Sequence, residues 1–204
     1  MTFDLRERAH EVMRAELAEA AFGLIVESGY DGLTADDLAR GLGISRPTFY
    51  RYLGSKDDVI VTVMLGPDDH FVRPLTMAGT AGRDAATSWW QWLRTAVEPV
   101  VVQGEQEPGP MRARLLLVQS QPAVGAKLRR ARGPQIDRLA EALAEYGCAP
   151  AAAHVLATAS VSVLDLCLAQ WSKGGDGSLR EVVDRAFIDL EDGSAAPVRS
   201  TPVR

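Results

Sequence analysis

An all-α chain is what these 204 residues predict, and three observations carry the expectation. Apolar residues return at steps of three and four through most of the length, the period of an amphipathic helix. Three helix starts are marked by Ser or Thr with an acid three residues on: Thr34 with Asp37, Ser55 with Asp58, and Ser178 with Glu181. That spacing lets side chain and backbone cap each other's unpaired groups. Glycine and proline gather where the period lapses, above all between Gly66 and Gly82. The expected architecture is an N-terminal three-helix domain with a helix-turn-helix over residues 1–64, a larger C-terminal helical domain over 65–192, and a flexible tail at 193–204.

In chain order, Leu5, Ala9, Val12, Met13, Leu17, Ala20, Ala21, Leu24 and Ile25 predict a long first helix, stopped by Gly29. Thr34 caps a second, carrying Leu38, Ala39 and Leu42 on one face. Gly43 ends it, since glycine takes the left-handed conformation that turns the chain sharply. Ser45 caps the third helix, and Pro47 sits in its first turn, where backbone N–H groups have no intrahelical partner. Phe49 and Leu53 face inward, leaving Arg46, Thr48, Tyr50, Arg51 and Tyr52 outside. Ser55 opens a fourth helix with Val59, Ile60, Val63 and Met64.

Helix resumes from about Asp84, with Trp89, Trp90, Trp92 and Leu93, and Pro99 ends or kinks it. Glu105–Pro110 reads as a loop and Met111–Gln119 as a short helix. Ala123–Tyr146 reads as a helical arm broken at Gly133 and Pro134. Pro150 opens a helix to about Trp171 that is apolar nearly all round, and Ser178 caps the last, with Leu179, Val183, Ala186, Phe187 and Leu190 on one stripe.

Residues 33–56 concentrate the chemistry. Leu38–Lys56 holds no acid, whereas Arg40, Arg46, Arg51 and Lys56 are positive. Phosphate contacts supply much of the affinity for DNA, and carboxylates there would oppose it. Two short capped helices around a glycine turn, the second with a polar basic outer face, suit a helix placed in a DNA groove; a solvated helix pair would share the bare spacing.

Over a longer window, Arg14 to about Met64, the sequence resembles the N-terminal domain of the TetR family of bacterial transcriptional regulators. Glu27–Ser28–Gly29–Tyr30, the Thr34 cap, Leu38, Ala39, Gly43–Ile44–Ser45, Thr48–Phe49–Tyr50–Arg51–Tyr52 and Ser55–Lys56–Asp57 carry the likeness. Two positions depart from it: Leu53 stands where an aromatic residue is common, and Pro47, lacking an N–H for a phosphate, where a small residue is usual. The resemblance implies a homodimer joined through the last two helices, acting on double-stranded palindromic operator DNA as a repressor that a small-molecule effector releases. It implies phosphate contacts from Thr34, Tyr50, Tyr52 and Lys56, base or nearby backbone contacts from Arg46, Thr48 and Arg51, and Ser45 among the DNA-binding residues.

Charge speaks against this at first. The net charge is −5, and residues 1–64 hold seven basic against eleven acidic side chains. Their distribution answers in part, because the acids lie in the first helix and at helix starts, where they suit the macrodipole. The basic cluster Lys127, Arg129, Arg130 and Arg132 reads as a solvated helix face, since no capped reading helix or stacking aromatic accompanies it. The opening residues form no signal peptide and no run reaches a membrane span, so a cytoplasmic protein without membrane contact is expected, with Cys148 and Cys167 unpaired.

In the second half, His154, Thr158, Val161 and Asp165 share one stripe of the apolar helix. Two readings stand. The stripe lines a ligand pocket with Trp89 or Trp92 and with Arg114, suited to a hydrophobic or acyl-type effector, or its side chains satisfy each other or a partner subunit at the dimer interface. The tryptophans are equally open to a plain core role. No metal motif, cofactor motif or nucleophile emerges from His10, His70, His154 or the cysteines, and the chain is not read as an enzyme. The competing function is a helical small-molecule-binding protein or enzyme that does not use its N-terminal domain on DNA.

Overall fold

The computed structural model describes residues 5–78, 87–174 and 177–195, and every regular element among them is helical. They are α1 (Leu5–Ser28), α2 (Ala35–Gly41), α3 (Arg46–Leu53), α4 (Lys56–Leu65), α5 (Arg73–Ala78) and α6 (Trp89–Ala96). α7 (Glu98–Gln106), α8 (Pro108–Ser120), α9 (Pro122–Ala131), α10 (Gly133–Glu145), α11 (Pro150–Ser172) and α12 (Leu179–Ala195) complete the order. The expected restart near Asp84 and most of the expected tail lie outside the described residues, although α12 continues three residues past Asp192.

Several boundaries follow the caps. Thr34 accepts from the Asp37 N–H, Ser55 from that of Asp58 and Ser178 from that of Glu181, and each acid returns the bond. A further capping box, Ser88 with Gln91, starts α6. Pro99 gives a bend at Val97, with α7 starting at Glu98. The loop expected at Glu105–Pro110 shrinks to Glu107, because Pro108 and Pro110 stand in the first turn of α8, where a missing N–H costs no helical bond.

The chain divides into two compact units: residues up to Pro67 with Ala113–Gly133, and Asp68–Arg112 with the residues from Pro134 on. Ala113–Gly133 was expected in the second domain. It belongs with the first because its apolar face completes that core: Val124 and Leu128 bury with Ala18, Phe22, Ile25, Leu38, Phe49, Val59 and Ile60, and Leu117 and Val118 pack alongside. Polar contacts reinforce the placement. Lys127 Nζ lies 2.6 Å from Asp58 Oδ1, and Arg114 reaches Glu19 at 3.1 Å. The basic cluster is therefore not one solvated face, since Lys127 is half-buried and Arg132 is buried; Arg129 and Arg130 alone of the four are exposed.

The second unit buries Trp92, Leu93, Leu139, Leu143, Leu164, Val183 and Phe187 among α6, α10, α11 and α12. Arg94 bridges Asp184 and Glu98, and Arg180 bridges Glu98 and Glu105, tying α6 and α7 to α12. Burial opposes ionisation of Glu98, but the two guanidiniums outweigh it and lower its pKa. Gly104 of α7 passes so close to α12 that a Cβ there would lie 2.4 Å from Leu179 Cδ2.

One expectation is corrected here. α11 is long and apolar enough to cross a membrane by length and composition, with a mean hydropathy of 1.7, contrary to the reading that no run was. Its composition has a different physical reading: Ala157, Val161, Leu164 and Leu168 pack inward, while the equally apolar Val155 and Leu166 stay 67% and 69% exposed.

If α9 is part of the first unit's core, Leu128→Ala should destabilise it by about 2–5 kcal/mol, the usual cost of a truncated core leucine. Hydrogen exchange should then rise at amides of α1 and α4; a rise confined to α9 would contradict the shared core.

Candidate nucleic-acid interface

The candidate interface is built from the turn outward. Gly43 takes φ +67°, Leu42 and Gly43 donate to carbonyls of the last turn of α2, and the Ile44 N–H closes on Ala39 O at 3.0 Å. This reverses the chain within three residues. Half-buried Ile44 then packs on the core. Ser45 caps α3, accepting from the Thr48 N–H at 3.3 Å, with the two hydroxyls 2.9 Å apart. Phe49 and Leu53 are 0% and 1% exposed, which fixes the rotation of α3 and leaves Arg46, Tyr50 and Arg51 outward.

The outer face is less uniformly basic than the sequence implies. Arg46 pairs with Asp36 at 2.7 Å and Arg40 with Asp37 at 2.9 Å, so acids of α2 reach cations that the local window left unopposed. Such exposed pairs contribute little stability and exchange readily for a phosphate or a base edge. Tyr50 is 54% exposed. Tyr52 is half-buried and engaged at its ring: the His10 imidazole stacks on it at 4.5 Å between centroids, and the Arg51 guanidinium lies 4.9 Å from its ring centre. Thr34 is exposed, but its hydroxyl donates to Asp37 at 2.6 Å.

Lys56 departs from its expected role. Its ammonium donates to the carbonyls of Tyr30 (2.5 Å) and Leu33 (2.9 Å) and lies 3.9 Å from the Tyr30 ring centre, so it clamps the α1–α2 connection. A cation held by two carbonyls and a ring is not placed to meet a phosphate. Tyr30 in turn donates to Asp57 at 2.5 Å, and burial together with that bond pushes its phenol up to about 12.

The corner between α3 and α4 is the most constrained point. Gly54 adopts φ +70°, and a Cβ there would lie 2.7 Å from Asp58 Oδ2. That oxygen accepts from the Ser55 N–H at 2.9 Å and hydroxyl at 2.6 Å, while Asp58 Oδ1 takes Lys127. Burial alone would raise the Asp58 pKa. The bonds from Lys127 and Ser55 reverse that and lower it.

The six residues expected at an effector site are divided between the two units. Trp92 is buried against Tyr146 and Trp89 in the second unit, whereas Arg114 belongs to the first, over the Phe22 ring. His154 and Thr158 are exposed and Asp165 is half-buried, and His154 Nδ1 lies 3.7 Å from Asp137. Sequence reasoning missed Arg112, whose guanidinium lies 4.5 Å from the Trp171 ring centre. The buried Nε atoms of Trp92 and Arg112 meet no acceptor among the described residues.

Residues 17–63 match the family model described as "Bacterial regulatory proteins, tetR family". The chain is 56% identical over 32 residues to the HTH-type transcriptional regulator EthR of Mycobacterium tuberculosis, a stretch covering 16% of this chain and 15% of EthR. The chain thus matches only about a sixth of the length of that curated relative. Among solved structures, Thermus thermophilus FadR, described as a TetR family transcriptional repressor and solved in complex with lauroyl-CoA, aligns with TM-score 0.57 and 21% identity. It covers 94% of this chain and 100% of its own. The fatty acid degradation regulator FadR of Bacillus halodurans aligns with TM-score 0.54 and 20% identity over 87% and 93% of the two chains. A TetR-like regulator of Rhodococcus sp. RHA1 gives 0.51 and 22% over 92% and 97%.

Two outcomes follow from this geometry. Lys56→Ala should lower stability by about 1–3 kcal/mol, the loss of charge-assisted hydrogen bonds to two half-buried carbonyls, yet leave the salt dependence of DNA binding unchanged; a flatter dependence would restore the phosphate role. The depressed Asp58 pKa means that the unfolded chain binds the proton more tightly. Its contribution is complete above the ordinary carboxyl value near ~3.9 and is lost as pH falls through the folded value. Urea unfolding followed through that acid range should therefore show a shallower pH dependence for Asp58→Asn than for the wild type.

Proposed function

We propose, for a chain that carries the TetR-family N-terminal domain on a TetR-like helical fold, that it is a homodimeric DNA-binding transcriptional regulator whose operator binding is released by a small molecule. One observation carries the DNA part. The inward lock of Phe49 and Leu53 directs Arg46, Tyr50 and Arg51 outward from a capped helix behind a glycine turn. A helix so presented fits the major groove, with Thr48, Arg46 and Arg51 toward base edges and Tyr50 and Ser45 toward phosphates.

The dimer is supported by the outer face of α11 and α12. Val155, Leu166 and Ile188 are more than half exposed, and an open, mainly apolar groove of ≈ 360 Å³ runs between Val163, Leu166, Cys167, Gln170, Ala186, Asp189 and Leu190. A second copy applied by twofold symmetry would cover that face and present two reading helices to a palindrome. His154 and Thr158, on the outer side of the same helix, fit this interface better than an internal pocket.

The effector reading rests on the second unit's unsatisfied donors. A buried Trp92 N–H that meets no acceptor among the described residues costs about 1–3 kcal/mol, which a ligand oxygen would recover. The class we put first is an acyl-type molecule, the kind named with the Thermus thermophilus neighbour.

Selection of duplexes from a random library by the full-length protein should yield a palindrome with half-sites about one or two helical turns apart. Failure to enrich any sequence would count against the regulator and favour a small-molecule binder that leaves its N-terminal domain unused. Leu166→Glu should convert the dimer to monomer by light scattering and weaken binding to the full palindrome more than to a half-site; a Leu166→Glu dimer would place the interface elsewhere.

A further inference from the structure

α9 sits beside the corner from which the reading helix leaves. Its Lys127 reaches both Asp58 Oδ1 at 2.6 Å and Ser55 Oγ at 3.2 Å, and Ser55 is two residues beyond the end of α3. At about 100° and 1.5 Å per residue, Arg130 lies about 60° around the helix from Lys127 and about 4.5 Å along it. Arg129 lies about 160° away, on the opposite flank. Both are exposed, and neither meets a carboxylate within ion-pair distance among the described residues.

The charge of the unit points the same way. Residues 1–67 hold seven basic and eleven acidic side chains, a net of −4. Ala113–Gly133 adds Arg114, Lys127, Arg129, Arg130 and Arg132 and no acid, making twelve basic against eleven and a net of +1. The unit that carries the helix-turn-helix is therefore positive only with this inserted segment. Lys56, the cation nearest that corner in sequence, is turned inward onto carbonyls.

We infer that Arg130 of α9 is a DNA contact outside the reading helix, an ionic bond to a backbone phosphate flanking the bases read by α3. The inference rests on the DNA-binding reading above. It assigns the partner as duplex DNA, recognised through its phosphate charge and not its sequence. Arg130 also lies in the last turn of α9, where a cation favours the helix dipole; that role alone would alter stability and not the number of counterions displaced.

The test is the salt dependence of binding, by fluorescence anisotropy, of full-length protein to a duplex it has itself selected from a random library. Each phosphate contact contributes a slope of about 0.9 in log affinity against log salt. Arg130→Ala should lower the slope by about that amount, Arg130→Lys should restore it, and Arg129→Ala, the same charge change on the other flank, should leave it near wild type. Thermal unfolding of each variant verifies the fold. A wild-type slope in Arg130→Ala, or an equal loss in Arg129→Ala, overturns the contact while leaving the reading helix in place. If the wild type shows no salt-dependent duplex binding at all, the DNA reading itself fails and this contact with it.

Discussion

The two oxygens of the Asp58 carboxylate tie the start of α4 and the anchor of α9 to a single group. Oδ2 closes the capping box that starts α4, and Oδ1 anchors Lys127 of α9. Gly54 makes the approach possible, since a side chain there would collide with the same carboxylate. The rotation of α3 is set by Phe49 and Leu53, but where α3 ends and how α4 leaves it is set by this corner. Removing the charge loosens the cap and the α9 contact together, because both depend on one group.

This arrangement changes how the molecule's charge is understood. An acidic chain, and an acidic N-terminal stretch, look poorly suited to a polyanion. The folded unit differs because a segment more than forty residues downstream of α4 closes its core, and every charged side chain it brings is basic. α8 begins in the second unit and ends in the first.

Much of this was legible in sequence because the signals are local. Thr34–Asp37, Ser45 and Ser55–Asp58 mark helix starts by chemistry acting over three residues, and Gly43 marks the turn by its conformation. The partner of a helix face is another matter. Val124 and Leu128 announce a buried face, but nothing in their spacing says that Phe22 and Ile60 lie opposite. The direction of the Lys56 ammonium depends on carbonyls 23 and 26 residues away, and the Arg46–Asp36 pair depends on the turn between two helices. Pro108 and Pro110 read as loop because proline in a first helical turn and proline in a loop look alike along the chain. Which apolar residues of α11 turn inward and which stay exposed could not be read from composition, which does not separate packing within a chain from an exposed apolar surface.

The central claim is that the outward face of α3 binds duplex DNA. Its most direct test is the affinity of the full-length protein for DNA flanking its own gene, measured over a salt series beside Tyr50→Ala. Tyr50 is more than half exposed, so the variant should fold normally. The account predicts tight, salt-sensitive binding by the wild type and a large loss in the variant. Equal binding by both proteins, or none by either, would contradict it.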